Sequence, residues 1–116
     1  MWYAFICEDV ENSLSKRKKV RADHLKRVEV LKNQGRILIA GPTPKIDSED
    51  PGIAGFSGSL IVAEFENIEE AEVWIKNDPY NLHGVFKSVK QNHSNSYSHN
   101  KILQKIPAYN HPRKRK

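Results

Sequence analysis

Apolar and polar positions alternate along the first 90 residues with two different periods. Residues 2–8, Trp-Tyr-Ala-Phe-Ile-Cys-Glu, are short, apolar and rich in aromatic side chains, which predicts a strand. Residues 9–12 are mostly polar and read as a loop. Ser13 or Ser15 can then cap a helix running to about residue 34, with Gly35 placed for a left-handed stop. Within it Val20, His24, Val28 and Leu31 fall at i, i+4, i+8 and i+11 and share one stripe. Residues 36–40 predict a second strand closed by Gly41 and Pro42, and residues 41–57 carry dense turn chemistry and read as a long surface loop. Residues 58–66 predict a third strand. Asn67 with Glu70 three positions on forms a capping box for a second helix, which presents Ile68, Ala71 and Ile75 on one face with Trp74 beside them. Residues 85–90 predict a fourth strand.

The order β-α-β-β-α-β with right-handed crossovers predicts an α+β fold, the ferredoxin-like sandwich of four antiparallel strands and two helices on one face. The strands carry a further implication. Trp2, Ala4 and Ile6 point opposite to Tyr3, Phe5 and Cys7, Ile37 and Ile39 opposite to Leu38 and Ala40, and Leu60 and Val62 opposite to Ile61, Ala63 and Phe65. Both faces of the sheet are apolar, whereas a half-wet antiparallel sheet alternates apolar with polar. Two helices cover only one face. At about 25 cal/mol per Å² of buried apolar surface, a second copy of the chain is the simplest cover for the other, so a homodimer closed sheet to sheet is expected.

A chain of 116 residues is one domain's worth, expected at 1–91, with 92–116 as a polar, basic and largely disordered tail in which Ile102, Leu103 and Ile106 form one short apolar patch that can dock or form a helical turn. The net charge of +5 suggests nucleic acid until it is located. Residues 1–90 hold 13 Lys/Arg against 14 Asp/Glu, a net of −1, and residues 91–116 hold 6 Lys/Arg and no acid. The folded part is nearly neutral, so weak, salt-sensitive contact with nucleic acid through the tail is conceivable but is not the expected main role. A single cysteine, Cys7, allows no internal disulfide, and no metal or other cofactor is called for. No apolar run approaches the roughly 18 residues of a membrane span, and the N-terminus lacks the basic region of a secretory signal. The expected compartment is the cytoplasm.

A titratable ring on an apolar stripe raises a chemical question. His24 is either a core histidine bonded to the backbone or a general acid–base group, and the second role needs a partner that fixes its tautomer. Asp47, Asp50 and Asp78 are the carboxylates outside regular elements. Asp78 before Pro79 also reads as a helix cap, with Pro at the first helical position. Arg17 and Arg21 precede His24 on nearly the same side and could bind an anion, although residues 16–19 read mostly as a solvated charge run. Ser59 after a glycine could donate into a pocket, and Gly41 could offer a backbone amide there. Cys7 reads as packing.

The residues Lys16-Arg17, Val20-Arg21, His24-Leu25, Ala40-Gly41-Pro42, Asp50-Pro51-Gly52, the run from Gly55 to Ser59, Ala63-Glu64-Phe65 and Asp78-Pro79-Tyr80 before Gly84-Val85 resemble the YciI family in order and spacing. The resemblance implies a ferredoxin-like dimeric α+β barrel and a pocket in which His24 and Asp78 act as an acid–base pair. To this the residues themselves add Arg21, Gly41 and Ser59 as expected contacts to a small polar, anionic substrate. The resemblance also implies lyase, dehalogenase or hydrolase-like chemistry, since a relative removes chloride from a chlorinated hydroxyquinol. A non-catalytic binding or assembly domain is the alternative. The chain departs from the family at its end, where a long polar, basic tail replaces a short basic-aromatic segment.

Overall fold

The structure, a computed structural model, describes residues 1–87 and the backbone of residues 103–106. The remainder of the expected tail, 92–102 and 107–116, and residues 88–90 of the expected fourth strand lie outside them. Strand β1 (Trp2–Glu8) is followed by helix α1 (Leu14–Asn33), strand β2 (Ile37–Pro44), a 3-10 turn (Gly52–Ala54), strand β3 (Phe56–Glu64), helices α2 (Ile68–Lys76) and α3 (Pro79–Leu82), and a short strand β4 (Leu103–Ile106). The sheet is antiparallel, with β3 between β2 and β1, and β4 along the free edge of β1.

Local chemistry explains most of these boundaries. Helix α1 stops in a Schellman arrangement, with Gly35 at φ 72° and the Arg36 N–H donating to the Leu31 carbonyl. Asn67 caps α2 by accepting from the Glu70 N–H. Ser13 precedes α1 as expected, yet its hydroxyl makes no capping bond and turns to Asp9 instead. Strand β2 does not end at Gly41 and Pro42 but runs on to Pro44, because it is the outer strand of the sheet and a proline there breaks no ladder on its solvent side. The expected loop shortens accordingly, and β3 starts at Phe56.

The fourth strand departs further from expectation. Within 85–87, Phe86 makes only an isolated bridge to Asp9, and no ladder forms there. The position beside β1 belongs to β4, where the backbone at Leu103 and Ile106, from the apolar patch of the tail, pairs as a strand rather than a helical turn.

The main core lies between one face of the sheet and the helices. Tyr3, Phe5, Cys7, Ile61 and Ala63 meet Val20 and Leu31 of α1, and Ala71 and Ile75 of α2. The opposite face is apolar as expected, with one correction. A register shift between Ile37 and Ile39 places Ile37 opposite Ala63 but Ile39 opposite Val62, so these two isoleucines point to opposite faces. Nor is that face bare: Trp2, Ala4 and Val62 are already buried within one chain, while Ile6 and Ile39 remain half exposed, at 49% and 48%.

One glycine is set by close approach. A Cβ on Gly58 would collide with the Cys7 carbonyl across the β1–β3 ladder. Gly58→Ala is therefore expected to lower the unfolding free energy by about 1–3 kcal/mol, read as a shift of the denaturant midpoint; an unchanged midpoint would show that the two strands separate at no cost.

Candidate active site

Two buried carboxylates organise one end of the fold. Asp78 sits between α2 and α3, where its N–H donates to the Ile75 carbonyl and its carbonyl accepts from Asn81 and Leu82. It is completely buried, and its Oδ1 caps α3 by accepting from the Tyr80 N–H at 2.9 Å. Helix α1 aims His24 at it. Nδ1 lies 2.9 Å from both carboxylate oxygens, and the imidazole stacks on Tyr80 at 4.0 Å between centroids and 14° between planes. A carboxylate accepts only, so Nδ1 carries the proton in this bond and Nε2 keeps its lone pair when the ring is neutral. Arg27, one helical turn on, also reaches Asp78, its Nη1 3.4 Å from Oδ2. Asp47 and Asp50 are exposed in the 45–55 loop, and Asp78 is the carboxylate that meets His24.

The second carboxylate is Asp9, at the end of β1. It accepts from Ser13 Oγ at 2.5 Å and from Arg17 Nε and Nη2 at 2.7 and 3.0 Å. Arg17 Nη2 also donates to the Gly58 carbonyl at 2.8 Å and to Ser59 Oγ at 2.9 Å. The guanidinium lies over the rings of Phe56 and Tyr80, so an aromatic layer joins the two networks. Arg17 is therefore not part of a solvated charge run; it is buried and paired.

Between α1 and the β2–β3 side of the sheet opens a cleft of about 240 Å³ whose walls include Arg17, Arg21, His24, Gly41, Ser59 and Tyr80. Four of the five residues expected at a site share this wall, and the fifth, Asp78, stands behind His24. The cleft is cationic. Desolvation pushes the Tyr80 phenol up, against the pull of Arg17 and Arg21, so the hydroxyl keeps its proton at neutral pH. Burial, and then Asp78 and Asp9, push the Cys7 thiol up to about 12, which fits packing and not nucleophilic chemistry. Among the described residues no group of His, Cys, Asp and Glu is arranged to hold a metal ion, and no helix is long and apolar enough to cross a membrane.

Sequence reasoning overlooked Asp9, Tyr80 and Arg27. A signal existed for Asp9: Asp9, Ser13 and Arg17 repeat every four residues, which carries one face across the loop into the helix. The run of cations around Arg17 hid it.

The model of the YCII-related domain matches residues 1–91. The chain belongs to this family. Protein YciI of Escherichia coli O6:H1 is 48% identical over 89 residues, which cover 77% of this chain and 91% of that protein. An uncharacterised protein of Haemophilus influenzae is 45% identical over the same shares. Among solved structures, 5-chloro-2-hydroxyhydroquinone dehydrochlorinase of Burkholderia phenoliruptrix, in complex with 2,5-dihydroxybenzoquinone, matches with a TM-score of 0.66 and 28% identity over 76% of this chain and 87% of that one. The α+β fold of this YCII-related domain is thus shared with an enzyme, and the matched span contains every residue that lines the cleft.

Arg17 and Asp9 are both nearly dry, so removing the cation strands a buried charge. Arg17→Met is expected to cost about 3–5 kcal/mol in chemical denaturation. The double variant Asp9→Asn, Arg17→Met should cost clearly less than the sum of the single changes, and strict additivity would mean that the two groups do not interact.

Proposed function

We propose that this YCII-related domain is an acid–base enzyme acting on a small, polar, anionic organic molecule, with His24 as the proton-transfer group and Asp78 as its orienting partner. The reading rests on one observation: the ring that lines the cleft has its Nδ1 held at 2.9 Å by a carboxylate with no exposure to water. In such an arrangement Nε2 takes a proton from the substrate, and Asp78 stabilises the imidazolium that forms. If the reaction is an elimination, the electron pair left behind forms the new double bond, and the leaving group departs with its own pair. Ser59 Oγ accepts from Arg17, so its hydroxyl proton is free to donate to a substrate oxygen, with a cation behind it that strengthens the bond. Arg21 on the cleft wall draws the anion in, and Gly41 adds a backbone contact. Lyase or dehalogenase chemistry is favoured by the likeness to a dehydrochlorinase.

A thermal-shift screen of small hydroxylated and chlorinated organic acids and phenols, followed by turnover assays on the compounds that bind, tests this. His24→Gln should retain binding and lower kcat by about 10² to 10⁴. In Asp78→Asn, imidazole ¹⁵N shifts should lose the Nδ1–H tautomer. Equal binding without turnover by wild type would leave a binding domain, and equal turnover by both proteins would refute the role of His24.

The proposal extends to a homodimer joined through the open sheet face, where Ile6 and Ile39 are half exposed. Light scattering should give a dimer for the wild type and a monomer for the Ile6→Asp, Ile39→Asp double variant; a monomeric wild type would rule it out.

A further inference from the structure

Asp78 is more heavily solicited than a simple dyad requires. It takes a bond from His24 Nδ1, a bond from the Tyr80 N–H and a contact from Arg27 Nη1 at 3.4 Å. Only the third brings a permanent positive charge. A carboxylate shut off from water is costly unless its charge is balanced. An imidazolium at His24 balances it, but His24 must be neutral to accept a proton. In that state the Tyr80 amide and a neutral Nδ1–H supply dipoles and no charge.

We propose that Arg27 is a positioning residue of the dyad: its guanidinium balances the buried Asp78 carboxylate while His24 is neutral, and so makes the proton-accepting form of the imidazole available. The placement of Arg27 fits that task. Its guanidinium rests on the Trp74 ring at 4.8 Å, a platform that holds the cation beside Asp78 without neutralising it. Arg27 does not line the cleft. It borders a second groove, with Leu31, Phe65 and Trp74. It therefore acts through Asp78 and never on the substrate. Other charged or titratable groups around the dyad are Arg17 and Arg21 of α1, Tyr80 of α3, and Cys7 and Asp9 of β1. Lys18 lines the same cleft. Among the described residues none of these side chains bonds Asp78, which Tyr80 reaches only through its backbone N–H, whereas the Arg27 guanidinium does. Glu69 and Glu70 border the same groove as Arg27.

This inference rests on the acid–base reading for its meaning but is measured without any substrate. NMR titration of the His24 imidazole in the full chain reads it directly. In Arg27→Gln the midpoint should move upward by about one pH unit, because the imidazolium becomes the only cation among the described residues that is paired with Asp78. Arg27→Lys, which keeps a charge at the end of a flexible stem, should stay close to the wild type. A thermal melt of each variant reports folding, and Arg27→Met serves as a second uncharged variant should Arg27→Gln be unstable. An unmoved midpoint in the uncharged variants, or an equal shift in Arg27→Lys, would overturn the proposal. Failure of His24→Gln to reduce turnover would instead overturn the catalytic reading and leave this coupling standing.

Discussion

A single carboxylate that has lost all contact with water, Asp78, ties the local structure to the chemistry. It stands at the α2–α3 junction and starts α3 by accepting from the Tyr80 N–H. It fixes the imidazole of α1 at a separation of 54 residues. Because both jobs fall to the same two oxygens, the orientation of His24 is as rigid as the α2–α3 corner. A buried charge of this kind is destabilising in isolation and stays only where its neighbours compensate it. Here they also place an imidazole against a cleft.

The second buried acid, Asp9, performs a parallel task on the other wall. It clamps Arg17 in a two-pronged bond, and Arg17 passes that order on to the Gly58 carbonyl and the Ser59 hydroxyl. Arg17 over Tyr80 and His24 stacked on Tyr80 make one continuous layer, so the polar network of β1 and β3 and the dyad share an aromatic spacer. The cleft thus has the Ser59 hydroxyl on one side and the His24 imidazole on the other, each network backed by a buried carboxylate.

Much of this was legible in the residues. Of the stripe Val20, His24, Val28 and Leu31, three are buried as its spacing implied and Val28 is half-buried, Asn67 and Asp78 cap where capping chemistry put them, and Gly35 closes α1 in the left-handed conformation. These features depend on residues within a few positions of one another, so periodicity and cap preferences reveal them. The register shift in β2 was not legible, because Leu38 and Ile39 are equally apolar and no pattern marks the extra residue. The strand expected at 85–90 is absent over 85–87, its described part, for a related reason: apolar, β-branched and aromatic residues suit a buried coil segment as well as a strand.

The sequence alone determined the two longer helices, three of the strands and the histidine on the inner stripe, since each follows from local spacing and side-chain chemistry. Only the tertiary structure decided that Asp78 and not Asp47 or Asp50 meets that histidine, and that Arg27 reaches Asp78. The physical reason is common to both. Which charges share a dry volume is set by how the helices lie on the sheet, and partners tens of residues apart leave no periodic trace in the chain.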